Sequence, residues 1–276
     1  METDTKKIYD LLHLSSEWSK IARGKRGFYR YKITRKNQVA YFFGTNHSRD
    51  PHDEQYSQLK EFWSEFVQES TGKSPVVIME GGVRRVHSSE EEAIHRDSEG
   101  GMIAYLAHPL GITLQSAEPP LQSVLSSLLK TFTKDEIAYY YFIRVVHQWM
   151  NLPSSRIPIE EYLEKDLIRN QISFNWRDFD FSLQHMKNLH LQYFGSDFDL
   201  DIKSKSKEYF LNLFISIKIT TNINRIGVEL AMLRNVYMVQ VCAELWSQGK
   251  SIFAAFGNSH TILQERALRE LLKGDK

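Results

Sequence analysis

The chain has one cysteine, Cys242, among 276 residues. An intramolecular disulfide is therefore excluded, and a reducing compartment suits the composition. Proline is scarce at 7 residues, and no linker or low-complexity tract interrupts the sequence. The formal net charge is only +1, so no global field draws the chain to nucleic acid or to acidic lipid. No segment approaches the roughly 18 uninterrupted apolar residues of a membrane span. The first residues, Met1 to Lys7, carry acids and lack the apolar core of a secretory signal. These absences lead to the expectation of a soluble, cytoplasmic protein. What is present is ordinary for a globular chain: 42% hydrophobic and 25% charged residues, enough to bury a large core.

The periodicity of apolar residues predicts an α/β protein, taken as a single domain over 1–276. Residues 4–22 have the pattern of an amphipathic helix, with Ile8, Leu11, Leu12 and Trp18 on one side. Phe28–Ile33 alternates apolar and basic residues, and the turn Arg35-Lys36-Asn37 joins it to the apolar run Val39–Phe43 as an N-terminal β-hairpin. A helix is expected over 52–69, a strand covered on both faces over Pro75–Met79, and a polar loop over Arg84–Ser98. Glu99-Gly100-Gly101 then opens a short helix to Ala107, followed by a strand over Ile112–Ser116. From 121 to 221 the pattern is helical, broken near Thr133, Pro153, Pro158 and Gly195, and this stretch reads as a large helical insertion. Lys203 to Lys207 fits a solvated helix start better than a nucleic-acid patch. A long helix over Asn222–Gln248, a strand over Ser251–Phe256 and a helix over Ser259–Leu272 complete the chain. The expected architecture is a mixed, mostly parallel central sheet flanked by helices.

Chemistry is expected at the carboxyl ends of the strands, where the loops of a parallel sheet converge. Two apolar strands, near opposite ends of the chain, run into the same pattern: Gly44-Thr45-Asn46-His47 and Gly257-Asn258-Ser259-His260. Pro75–Met79 ends in Glu80, and Ile112–Ser116 is followed by Glu118. Two imidazoles and a carboxylate, His47, His260 and Glu80, make a suitable ligand set for a divalent metal ion of the Mn, Co or Zn type. His260 lies in the first turn of its helix, where the dipole disfavours imidazolium. Arg234 falls in the apolar stripe Ile223, Ile226, Leu230, Leu233, Tyr237, Val241 and Leu245, so its guanidinium requires an anion: Glu80, Glu118 or a substrate oxyanion.

Plainer explanations compete. With 14 glycines and 10 histidines, chance alone supplies about half a Gly-x-x-His match, so one such motif is weak and two after strands are stronger. Glu118 also fits the first turn of the next helix, Glu99 a simple helix start, and Arg234 a structural ion pair. Cys242 has the setting of a packing residue, and the other eight histidines default to the surface.

Taken together, Gly44-Thr45-Asn46-His47 after a hairpin strand, the strand-terminal Glu80, Arg234-Asn235 in a long helix and Gly257-Asn258-Ser259-His260 resemble the TraB/GumN/Tiki pattern. That family is grouped with erythromycin esterases and ChaN-like haem-binding proteins. The resemblance spans about residues 27 to 272, without detail in the helical insertion. It implies an α/β core whose paired histidines, glutamate and arginine form a catalytic site. For Tiki-like proteins it implies metal-dependent peptide cleavage, and for the esterases hydrolysis without an established need for metal. The sequence therefore suggests a metal-dependent hydrolase of a peptide or small-molecule substrate. In it, His47, Glu80 and His260 hold the metal, Arg234 stabilises the oxyanion, and Glu118 or Glu99 serves as base. The insertion would cover the site and choose the substrate. A metal-free variant uses one histidine as base toward water, and the alternative is a non-catalytic haem- or metal-binding protein.

Overall fold

Five short segments become one mixed sheet: β1 (Arg30–Arg35), β2 (Gln38–Thr45), β3 (Pro75–Met79), β4 (Thr113–Ser116) and β5 (Ser251–Gly257). The computed structural model describes residues 5–13, 28–152, 157–199, 206–215 and 219–273. Trp18, Pro153 and Lys203 to Lys205 of the sequence reading lie outside them. The strand order is β1-β2-β5-β3-β4, with β1 antiparallel to β2 and all other neighbours parallel. The hairpin and the mostly parallel sheet expected from the sequence are both present.

Burial explains why the central strands are apolar along their whole length. Every residue of β2 and β5 is buried, because helices cover both faces of the sheet. On one face Val39, Tyr41, Phe43, Val77, Met79, Phe253 and Ala255 pack on α2 (Glu54–Ser70) and α3 (Glu90–Ala107). Tyr41 and Phe253 both lie against Phe62 and Phe66 of α2. On the other face Phe42 stacks on Tyr31, and Arg269 of α10 (Asn258–Leu272) sits over the Tyr31 ring.

The described residues divide into two compact units, Met1–Pro119 with Arg234–Lys276, and Pro120–Leu233. The first holds the sheet, α1 (Thr5–Leu11), α2, α3 and α10. The second contains the stretch 121–221 and is helical: α4 (Leu121–Leu128), α5 (Lys134–Met150), α6 (Ile159–Phe174), α7 (Leu183–Phe194) and α8 (Lys207–Phe214), with the start of α9 (Asn222–Ser247). Its core joins Tyr139, Phe142, Ile143, Leu163, Phe174, Met186, Phe210 and Ile226. Three breaks read from sequence are caps: Thr133 forms a capping box with Glu136, Pro158 precedes α6, and Gly195 ends α7 in the left-handed conformation.

Three expectations need correction. Arg84–Ser98 is not all loop, since α3 begins at Glu90. Ser89 caps it by accepting from the Glu92 N–H, and three glutamates fill its first turn. Only Ala93 and Ile94 of this first part are apolar and buried, too few to give a helical period. Second, α9 has no single apolar stripe. Leu233 and Tyr237 are half-buried while Asn235, Met238, Val239 and Cys242 are fully buried, because the helix is covered on several sides. By length and composition α9 could cross a bilayer, yet 56% of its apolar window is buried as core packing. Third, His87 and His190 are not surface residues. His190 is wholly buried with Nδ1 2.6 Å from the Tyr139 hydroxyl, and His87 pairs with Asp97. The sharp turn after β2 falls at His47, with φ 54°, and Gly44 remains in the strand.

Gly44 is required for close approach. A Cβ there would lie 2.5 Å from Asn258 Oδ1 and 3.1 Å from both Asn258 Cα and the Tyr29 carbonyl oxygen. The Asn258 side chain can turn aside, but backbone on two sides has to shift. Gly44→Ala is expected to lose roughly 1–3 kcal/mol of stability, read as a lower urea midpoint at unchanged slope.

Candidate active site

The register of the sheet brings four chain segments to one edge. Thr45 of β2 is opposite Gly257 of β5, and Met79 of β3 is flanked by Ala255 of β5 and Ser116 of β4. Glu80 is thus the first residue beyond β3, His47 and Glu118 are two beyond β2 and β4, and His260 is in the first turn of α10. The ends of β3 and β4 are clamped to each other. The Ser116 hydroxyl donates to the Gly81 carbonyl (2.5 Å), and the Gly81 N–H donates to Glu118 Oε1 (3.0 Å).

Arg234 of α9 joins three of these groups. Its Nε donates to Glu118 Oε2 (3.0 Å), and Nη2 donates to Glu118 Oε1 (2.5 Å) and Glu80 Oε1 (2.8 Å). Nη1 donates to His260 Nε2 (3.2 Å). Of the five guanidinium hydrogens, one on Nη1 remains unassigned. The other oxygen of Glu80 accepts the Gly257 N–H at 2.6 Å. Burial works to raise the Glu80 pKa, but the charges of His260 and Arg234 and the Gly257 N–H outweigh it and hold the carboxyl at about 2. At neutral pH the guanidinium carries this effect, since His260 is then unprotonated.

The His260 tautomer follows from its partners. A guanidinium can only donate, so Nε2 accepts and Nδ1 carries the proton, which it gives to Asn235 Oδ1 at 2.8 Å. The same oxygen accepts from Gln264 Nε2 at 2.7 Å. Burial lowers the His260 pKa, Glu80 opposes it and Arg234 adds to it. The neutral imidazole expected from the helix dipole is thus accounted for mainly by desolvation.

His47 is the opposite case. Its side chain is 55% exposed, and its Nδ1 lies 2.6 Å from Glu99 Oε1, itself only 10% exposed. The hydrogen bond to Glu99 raises the His47 pKa against the effect of burial. In Glu99, burial raises the pKa, but the bonds to His47 and Ser98 overcome it and the net shift is downward. His47 Nε2 has no hydrogen-bond partner among the described residues and faces the strand ends: a Cβ on Gly257 would be 2.9 Å from it and 3.2 Å from Glu80 Oε2.

Both members of this pair depend on unusual backbone. His47 has φ 54°, and α3 is kinked just before Glu99, where Ser98 has φ 55° and ψ −142°. Such conformations cost roughly 1–3 kcal/mol each and persist where the surroundings hold them. The Ser98 hydroxyl is 2.7 Å from the Ser48 carbonyl and 2.6 Å from Glu99 Oε2, and can donate to one at a time. Tyr56 also donates to the Ser48 carbonyl, and the Asn46 N–H donates to Gln55 Oε1 at 3.1 Å. Across the kink, Gly101 has no room for a side chain, since a Cβ would be 2.2 Å from the Ala93 carbonyl.

All six residues singled out in the sequence, His47, Glu80, Glu99, Glu118, Arg234 and His260, therefore belong to one neighbourhood. Sequence reasoning quoted Asn235 beside Arg234 without giving it a role, and missed the Gly257 N–H, Ser98 and Gln264. Asn235 carried a signal, being an amide in an apolar helix beside Arg234. The metal set His47, Glu80 and His260 does not fit this arrangement. The Nε2 lone pair of His260 and one oxygen of Glu80 already receive Arg234, whose fixed positive charge lies beside both. Among the described residues, no group of three His, Cys, Asp or Glu is arranged to hold a metal.

Two stability effects are expected. Glu80 has a folded pKa of about 2, below the ordinary 4.5. Its contribution is thus present above pH 4.5 and lost as pH falls through about 2. Acid titration of chemical stability should show a fall across that window, and Glu80→Gln should flatten it. Arg234→Leu leaves two carboxylates uncompensated and should cost about 3 kcal/mol, while Arg234→Lys should cost less.

Compared with protein-family models, with curated proteins and with solved structures, the chain has no match. The resemblance to the TraB/GumN/Tiki pattern rests on the motifs themselves.

Proposed function

We propose that the protein is a hydrolase of ester or peptide bonds in which His47 is the base that takes a proton from water. The observation that carries this reading is the His47–Glu99 pair. Glu99 fixes Nδ1 as the protonated nitrogen, which leaves the Nε2 lone pair directed toward the strand ends. The carboxylate also stabilises the imidazolium that forms as water is deprotonated. Arg234 contributes one remaining Nη1–H toward a developing oxyanion. Its other donors hold Glu80 and Glu118 and keep His260 in a single tautomer. Glu118 and Glu80 are committed to Arg234, so Glu99 acts through His47, and neither Glu80 nor Glu118 is assigned as base.

A metal has no part in this reading, which separates it from the metal-dependent form suggested by the sequence. Activity on a panel of esters and peptides should survive exhaustive chelation, and elemental analysis should find no stoichiometric Mn, Co or Zn. Loss of activity on chelation, with restoration by one of these ions, would replace the proposal with the metal-dependent one. A saturable, His47-dependent Soret band on haem titration, with no hydrolysis across the panel, would favour the binding protein instead.

The histidine assignment makes its own demands. His47→Ala should lose roughly 10²–10⁴-fold in kcat with little change in thermal melting. The His47 pKa is raised above its usual 6.5, so kcat/KM should fall as pH drops through a value above 6.5. Glu99→Gln removes the charge that raises it, and the acid limb of the profile should move to lower pH as the rate falls. An acid limb that stays in place in Glu99→Gln would remove Glu99 from the role.

A further inference from the structure

Arg84 stands in the segment that leaves β3, four residues after Glu80, and nothing in the reading above uses it. Among the described residues it makes no hydrogen bond or ion pair, and its Nε is buried without a partner. The contrast with Arg234, which is answered by two carboxylates, is direct. Arg84 is also given room. Its Nη2 lies 2.8 Å from where a Cβ on Gly81 would stand, and its Cγ and Nε lie 3.1 and 3.3 Å from the corresponding point on Gly100. Gly81 follows Glu80 and has φ +74°, and Gly100 follows Glu99. The stem of the side chain thus runs over the residue after one site glutamate, and its tip ends over the residue after another.

We propose, resting on the hydrolase reading, that Arg84 binds a carboxylate of the substrate beside the bond that is cleaved. A guanidinium binds a carboxylate through two parallel N–H donors, and one that is not already neutralised is the group to do so. The charge of the site gives the contact an orienting role. Glu80 and Glu118 bond Arg234, Glu99 bonds His47, and His260 is neutral, so the carboxylates of the cluster disfavour a second anion among them. Arg84, a guanidinium without a carboxylate partner among the described residues, is then where a substrate carboxylate binds, which fixes which end of the molecule faces His47. Val83 and Val86, 53% and 42% exposed, flank Arg84 in sequence and offer apolar surface for an adjoining aliphatic side chain. The substrate class is therefore an acylated amino acid or a peptide with a free carboxylate on an aliphatic residue.

Calorimetric titration with N-acetylvaline and with N-acetylvalinamide tests this without requiring turnover. The acid is expected to bind wild type and His47→Ala alike, and roughly 10- to 100-fold more tightly than the amide. Arg84→Met should abolish that preference and Arg84→Lys should recover part of it. Gly100→Ala, which leaves Arg84 present but displaced, should weaken it too and serves if Arg84→Met does not fold. With substrates that are turned over, Arg84→Met should lower kcat/KM for those with a free carboxylate far more than for the blocked substrates. No binding of N-acetylvaline by wild type, equal binding of the amide, or an unchanged preference in Arg84→Met would overturn the proposal. Arg84-dependent binding with no hydrolysis of any substrate would uphold the carboxylate site and strike the hydrolase reading.

Discussion

A guanidinium that cannot be neutralised by losing its proton stands at the edge of a parallel sheet, and much of the site is arranged to answer its charge. Arg234 is a quarter exposed at most, so water cannot do this alone. Two carboxylates from different strand ends supply the countercharge, and a histidine from a third accepts a further hydrogen bond. Each partner is then constrained in turn. Glu80 is kept ionised, His260 is held in one tautomer, and Asn235 accepts the hydrogen bond from the N–H on the far side of the ring. One charge, together with burial, thus sets the protonation of a network reaching from β3 to the interior of α10.

The two histidines that sequence treats as equivalent therefore become different reagents. Both follow an apolar strand and both follow glycine by three residues. One is buried and bonded on both nitrogens; the other is half out in water, bonded on one nitrogen and raised in basicity by its carboxylate. Groups of the same kind driven apart by their surroundings are the usual mark of divided roles in a site. Of the four non-glycine residues with positive φ among those described, His47 and Ser98 are the exposed histidine and the residue before its partner, while Ser74 and Asn175 lie outside the site.

The strand ends were legible because a covered strand must be apolar throughout, and a histidine or glutamate directly after such a run stands out against it. Parallel pairing then made convergence of His47, Glu80, Glu118 and His260 a matter of register. Other parts had no such contrast. The kink at Asp97 and Ser98 is set by contacts with Ser48 and His87, 50 and 10 residues away, which no local pattern contains. Asn235 is polar in a helix buried on several sides, so its burial could not be read from a stripe. Arg84 opens a charged stretch that reads as solvated loop, and its lack of a partner among the described residues is visible only once the chain is folded. The two glycine motifs also proved different in kind, with Gly44 serving close packing and Gly257 serving the site.

The Gly257 N–H links the site to the frame of the protein. It stands at the head of α10, among the amide hydrogens that a helix leaves without partners of its own, and it is Glu80, 177 residues distant in sequence, that receives it. The glutamate is therefore a helix cap as much as a member of the site. Docking of β3 beside β5 and closure of the first turn of α10 become a single event, and His260, one residue further round that turn from Ser259, inherits its aim from it. Variants of Glu80 will consequently report on helix ordering and on chemistry together, whereas the side chain of His47, which caps nothing, allows the chemistry to be measured on its own.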